Sequence, residues 1–191
     1  MNIDRSASAI RSAALMAAMS CGSVLAADVK EPAINVAFPE RLGSFALKGR
    51  TQFPNAGEGA IIAYQGGEVR GAVYVYNAGK ASIPNGVGSP VIHEHFQQTV
   101  MALQRAGKEG PNKARITPVK SSTISAFPGC GPQFMWRSDA IEMAGGEMVS
   151  RTYLTGFSNH FVKLRVTHPR NADKDAEQFV QDVRKLLGKC G

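Results

Sequence analysis

The residues best suited to chemistry lie near the C-terminus. From Phe161 to Thr167, strand alternation puts Val162, Leu164 and Val166 on one face and Lys163 and Arg165 on the other, with Phe161 and Thr167. In the segment before it, Arg151 and Tyr153 share a face with Val149. If the two strands pair so that these sets align, Arg151, Tyr153, Lys163 and Arg165 form one basic, aromatic patch, which Tyr74 and Tyr76 would extend. Such a surface would hold an anionic or sugar-like ligand by charge-assisted hydrogen bonds and stacking. The competing reading is the solvated outer face of a one-sided sheet.

Other chemistries find less support. His93-Glu94-His95 falls in a segment of helical spacing, where residues two apart point about 200° away from each other, so the two histidines cannot share one metal. A zinc-protease H-E-x-x-H would need histidine at position 97, which is Gln97. His160 and His168 lack ligand spacing, and no metal site is expected. No G-x-S-x-G is present, and Gly43-Ser44 and Gly88-Ser89 read as loop and cap residues. The glycine-rich stretch 77–88 matches neither phosphate-binding nor dinucleotide-binding patterns, so no cofactor is expected. The sequence leans away from an enzyme. The alternative is a small hydrolase whose site assembles from distant residues, around the 77–88 loop and His93.

The chain opens on a charged start with Arg5 and Arg11, a short apolar run from Ser12 to Ser20, and Val24-Leu25-Ala26 before Ala27. This is the pattern of a secretory signal peptide over residues 1–26, and the apolar run is shorter than the roughly 20 residues that cross a bilayer. Ala18-Met19-Ser20-Cys21 loosely resembles a bacterial lipobox, which offers lipid anchoring at Cys21 as the alternative. Of 191 residues, 165 remain after a 26-residue leader, enough for one exported domain over 27–191. The chain has 22 Lys and Arg against 15 Asp and Glu; the leader takes two of the first and one of the second, leaving the mature part at +6. That charge suits an anionic ligand or envelope component, and no nucleic-acid partner is expected. No later segment is apolar enough to span a membrane.

With Cys21 removed, Cys130 and Cys190 remain, and an even count in an oxidising compartment predicts one disulfide. Closing so long a loop would contribute about 4 kcal/mol in the chain-entropy description.

The elements that must position these residues follow from periodicity. Residues 27–44, with Pro32 and Pro39, read as an irregular lead-in. Strands are expected at 45–53, 60–64 and 69–76, the last rich in β-branched and aromatic residues. Ser89-Pro90 caps a helix that carries Ile92, Phe96, Val100 and Leu103 on one face and that Gly107 should end. Strands follow at 114–127, whole or broken near Pro118, and at 133–143, 147–155 and 161–167. A turn at Gly145-Gly146 and a hairpin at 156–159 join the later ones. A last helix at 172–187 bears the stripe Ala176, Phe179, Val180, Val183, Leu186 and Leu187, with Gly188 as its cap. The order predicts an α+β fold, one mainly antiparallel sheet with two principal helices.

The runs Gly71 to Tyr76, Ile83-Pro84-Asn85-Gly86, Phe96, Tyr153-Leu154-Thr155-Gly156 and Phe161 to Thr167 resemble a group of small exported bacterial proteins of unassigned function. The order of elements is similar to that of the PsbP-like α/β/α sandwich, a likeness of topology that implies a fold and no activity. The expectation is an exported periplasmic or secreted protein, a non-catalytic accessory or binding module.

Overall fold

The computed structural model describes residues 28–109, 114–125, 127, 129–143 and 146–190. The expected leader, with Cys21 and the cleavage site after Ala26, lies outside the described residues, as do Gly145 and the connection 110–113.

Short strands open the chain: β1 (Val29–Glu31), β2 (Val36–Phe38) and β3 (Arg41–Leu42). Then come β4 (Phe45–Gln52), β5 (Ala60–Gly66), β6 (Val69–Tyr76), α1 (Pro90–Glu109), β7 (Arg115–Ser125), β8 (Phe134–Met143), β9 (Gly146–Phe157), β10 (His160–His168) and α2 (Asp173–Gly188). β3 to β10 form one sheet in the order β3-β4-β5-β6-β10-β9-β8-β7, with every pairing antiparallel. The chain builds half of the sheet outward-in to β6, crosses through α1 to the far edge at β7, and returns inward to β10. Two meanders thus close on the central pair β6 and β10.

The irregular lead-in expected for 27–44 is corrected by the three short strands. Ile34, Val36, Phe38 and Leu42 are buried, and β2 alternates buried, exposed, buried, so these residues pair in order to hide apolar side chains. Pro32 accepts a hydrogen bond from Asn35, so it serves the turn of the β1–β2 hairpin rather than breaking a strand. Arg50 of β4 donates to buried Glu31 at 2.8 Å and ties the hairpin to the sheet.

One sheet face carries α2. Its stripe of Ala176, Phe179, Val180, Val183 and Leu187 packs on Phe45, Tyr64, Val73, Val162, Leu164 and Val166. Phe179 meets Phe45 edge-on at 4.9 Å between ring centres. The left-handed residue that ends α2 is Lys189, not Gly188, and the N–H groups of Lys189 and Cys190 return to the carbonyls of Leu186 and Lys185. Cys190 is bonded to Cys130, with the α-carbons 6.1 Å apart. Buried Arg184 holds the same loop from inside α2: Nε donates to the Pro132 carbonyl at 3.0 Å, and its guanidinium lies 4.7 Å from the Phe127 ring centre.

The opposite face carries α1. Ser89 Oγ accepts from the Ile92 N–H, and Ile92 and Phe96 pack on Ile83, Met135, Leu154 and Phe161. Gly107 does not end α1. It is buried inside the helix, where a β-carbon would come within 2.5 Å of Ile116 on β7, so its lack of side chain serves close packing rather than termination. β7 is one strand whose register shifts after Pro118, a position open to proline because β7 is an edge. Among the described residues no helix is long and apolar enough to cross a membrane.

Candidate functional site

β6 and β10 pair with Phe161 opposite Tyr76, Lys163 opposite Tyr74 and Arg165 opposite Ala72. Tyr74, Tyr76, Lys163 and Arg165 therefore stand together on the face beneath α1. Lys163 Nζ lies 4.2 Å from the Tyr74 ring centre and 5.4 Å from that of Tyr76. Arg165 Nε donates to Ser150 Oγ at 3.3 Å.

α1 roofs this end of the sheet. His95 stacks on Phe161, ring centres 3.9 Å apart, and its Nε2 lies 2.9 Å from the Tyr76 hydroxyl. Thr99 donates its hydroxyl to the His95 carbonyl. Past Phe96 the helix lines the space below with Gln98, Thr99, Ala102, Leu103 and Ala106, which do not fill it. A cleft of about 460 Å³ results, walled by Tyr76, His95, Leu103, Thr152, Lys163 and Arg165. A second hollow of about 590 Å³ opens on the far side of Lys163, between Phe53, Glu58, Tyr74 and Ala78. Lys163 belongs to both walls.

Burial, together with the neighbouring Arg165, pushes the Lys163 ammonium down to about 8. Neither cation is within 4 Å of a carboxylate among the described residues. Burial also holds His95 below its ordinary value, with Lys163 and Lys80 adding to the shift against Gln98 and Glu94. Burial raises the Tyr76 phenol well above its usual range. At neutral pH the cleft therefore presents an uncharged Tyr–His couple beside two half-buried cations. Arg137 on the same face differs, because Asp139, fully buried, accepts from it at 2.6 Å.

Arg151 and Tyr153 do not join the patch expected from the sequence. β9 and β10 are joined by two residues, Ser158 and Asn159, both with positive φ (48° and 61°). This turn puts Leu164 opposite Tyr153 and Val166 opposite Arg151. Odd-numbered residues of β9 thus share a face with even-numbered residues of β10, so Arg151 and Tyr153 point to the α2 side. Tyr153 is buried there against Phe127, Phe134 and Trp136. Arg151 donates to Asp173 at the start of α2 at 2.5 Å. The place expected for Arg151 on the α1 side is taken by Thr152, opposite Arg165.

The 77–88 loop fixes the roof. Ile83 N–H donates to Asn159 Oδ1 at 2.7 Å, Ser158 N–H donates to Asn85 Oδ1 at 2.8 Å, and Gly86 and Gly156 exchange both backbone hydrogen bonds. A β-carbon on Gly156 would strike the Pro84 carbonyl oxygen. The motifs Ile83-Pro84-Asn85-Gly86 and Leu154-Thr155-Gly156 are thus two halves of one joint that seats α1. His93, one turn into α1, contacts the Val87 carbonyl, while His95 faces the sheet. Sequence reasoning passed over His95, Thr99 and Thr152. The signal for the first two was helical spacing: both flank the stripe of Ile92, Phe96, Val100 and Leu103. Among the described residues no group of three or more His, Cys, Asp or Glu is placed to hold a metal.

No protein-family model matches the chain, and no curated protein matches it. Among solved structures it is similar to cyanobacterial PsbP (CyanoP) from Synechocystis sp. PCC 6803, with 8% sequence identity and a TM-score of 0.50. The match covers 86% of this chain and 94% of the other. At that identity the likeness concerns the fold, a PsbP-like arrangement of one antiparallel sheet between two helices.

Proposed function

We propose that this protein is an exported, non-catalytic binding module that holds a small organic anion in the cleft between α1 and the β6–β10 pair. The observation that carries the reading is the adjacency of Lys163 and Arg165, half-buried on one strand with no carboxylate between them. Two desolvated cations side by side repel each other, and a bound anion relieves both penalties at once. The tyrosines supply aromatic faces for the ligand's uncharged part. Binding fits the lining better than hydrolysis does: among the described residues the 460 Å³ cleft is lined by no serine, cysteine or carboxylate. Export is supported by the leader-like first 26 residues and by the Cys130–Cys190 disulfide, a bond favoured in oxidising compartments.

Titration of the ¹⁵N-labelled protein with phenyl phosphate and benzoate tests the site. The reading expects amide shifts at Thr99, Thr152, Lys163 and Arg165, with affinity at least about tenfold weaker in K163Q/R165Q, the loss of one charge-assisted contact or more. Equal affinity in the double variant, or shifts confined to other surfaces, would overturn it. Mass spectrometry of the exported chain checks the address: a start at Ala27 supports the leader, and a lipid on Cys21 replaces it with the anchored form.

A further inference from the structure

The cleft does not stop at the cations. A third hollow, of about 230 Å³, continues beneath the second half of α1, between Leu103, Gly107, Ile116, Ile141 and Met148. It shares Leu103, Ala106 and Arg165 with the main cleft. Its floor is a row in register across three strands: Ile116 opposite Ile141, and Ile141 opposite Met148. At its back Gly107 packs directly on Ile116, and in front of that contact α1 stands clear of the sheet over Leu103 and Ala106. Charge is thus confined to one end of a continuous groove. Lys163 lines only the main cleft, Arg165 stands where the two hollows meet, and beyond it the lining is aliphatic apart from the Thr167 hydroxyl.

From this polarity we infer that the ligand is a single-chain amphiphilic anion: a carboxylate or phosphate head on Lys163 and Arg165, and one aliphatic tail under α1. The inference rests on the proposed anion site and adds the tail. The main cleft alone falls within the range of about 300–1,000 Å³ typical of small-molecule sites. A chain entering the extension would bury methylenes that water otherwise surrounds. Each buried methylene is worth ~0.8 kcal/mol, or about fourfold in affinity. At about 230 Å³ the extension is half the size of the main cleft and takes one chain rather than two. Fatty carboxylates and alkyl phosphates share this chemistry, and the head-group arms of the experiment separate them.

The experiment is calorimetric titration of the full exported chain with butanoate, octanoate and dodecanoate below micellar concentration. Dodecyl phosphate is the second head group and dodecyltrimethylammonium the cationic control. Wild type, K163Q/R165Q and Met148→Trp are compared; Met148 is half-buried and lines the extension but not the main cleft, so the indole fills the tail channel from its floor. The inference expects dodecanoate or dodecyl phosphate to bind at least about tenfold tighter than octanoate. Met148→Trp should weaken the long-chain ligand by at least about tenfold and leave binding of butanoate unchanged. Methyl shifts of Ile116, Ile141 and Met148 in the wild type on adding dodecanoate give a readout that does not depend on the variant folding. Equal affinity for octanoate and dodecanoate, or silent methyls, overturns the tail and leaves the anion site standing. Undiminished binding by K163Q/R165Q, or equal binding of the cationic amphiphile, overturns the anion site itself.

Discussion

The two faces of the sheet differ in how they treat charge, even though the α1 face also holds one matched pair, Arg137 and Asp139. On the α2 face the arginines near the core have partners: Arg50 has Glu31, Arg151 has Asp173, and Arg184 has the Pro132 carbonyl, Gln181 and the Phe127 ring. Aromatic side chains fill the space between, and Phe179 alone touches the rings of Phe45 and Tyr64. On the α1 face the roof stands on Ile92 and Phe96 at one end and on Gly107 against Ile116 near the other, and leaves a hollow between them. Lys163 and Arg165 sit in that hollow without a carboxylate partner among the described residues. A buried charge left uncompensated costs stability. The α2 face holds the fold together, and the α1 face carries a cost that, in the proposed function, a bound anion relieves.

The sharpest way to break this contrast is to truncate one apolar side chain on each face. Phe179→Ala removes a fully buried ring and should lower stability by about 3–5 kcal/mol, whereas Leu103→Ala, in the half-filled cleft, should cost under about 1 kcal/mol. Denaturant melts of the two variants measure this, and equal losses would mean that α1 is as tightly packed as α2.

Next in size is the disulfide. It pins the 129–132 loop to the end of α2, where the last turn already folds back through Lys189 and Cys190. Replacing both cysteines with serine should lower stability by about 2–4 kcal/mol and raise hydrogen exchange at the end of α2. Affinity in the cleft should not move, because the bridge lies on the other face.

The smallest effect has the opposite sign. Lys163→Met removes a charge that the fold has desolvated, and should raise stability at pH 7 by about 1–2 kcal/mol after the lost contact with Tyr74 is deducted. The pH dependence follows from the same shift. Because Lys163 titrates at about 8 in the folded chain and at 10.5 when unperturbed, the unfolded chain holds more protons between those values. Wild-type stability should therefore gain a rising contribution from Lys163 across that window, and the methionine variant should lack it. Unfolding free energies measured at several pH values test both the sign and the window.

The sheet and its two helices were legible because their signals were local. β6 spans Val69–Tyr76 as its β-branched and aromatic alternation requires, and α2 shows its stripe in single residues. The bridge followed from cysteine parity once Cys21 was assigned to the leader. The N-terminal strands stayed hidden because they are two or three residues long and stand between prolines, so burial and not periodicity defines them. Gly107 and Gly188 resembled helix ends, yet both are glycines for lack of room: a β-carbon would meet Ile116 in one case and Gly131 in the other. Half of the patch was misplaced for a single geometric reason. Alternation says which residues of one strand share a face, but only the loop length says which face of the next strand they join. The two-residue turn at Ser158-Asn159 carried that information and sent Arg151 and Tyr153 to the core side.

The central claim is that Lys163 is a desolvated cation awaiting an anion, and its own titration tests this most directly. Side-chain NMR of the lysine methylenes, assigned with K163Q, gives the midpoint in the free protein and with saturating phenyl phosphate. The account predicts a midpoint near 8 in the free protein, as burial and Arg165 require, and a rise toward the ordinary lysine range when the anion binds. A free-protein midpoint already at the ordinary 10.5, unmoved by the anion, would contradict it.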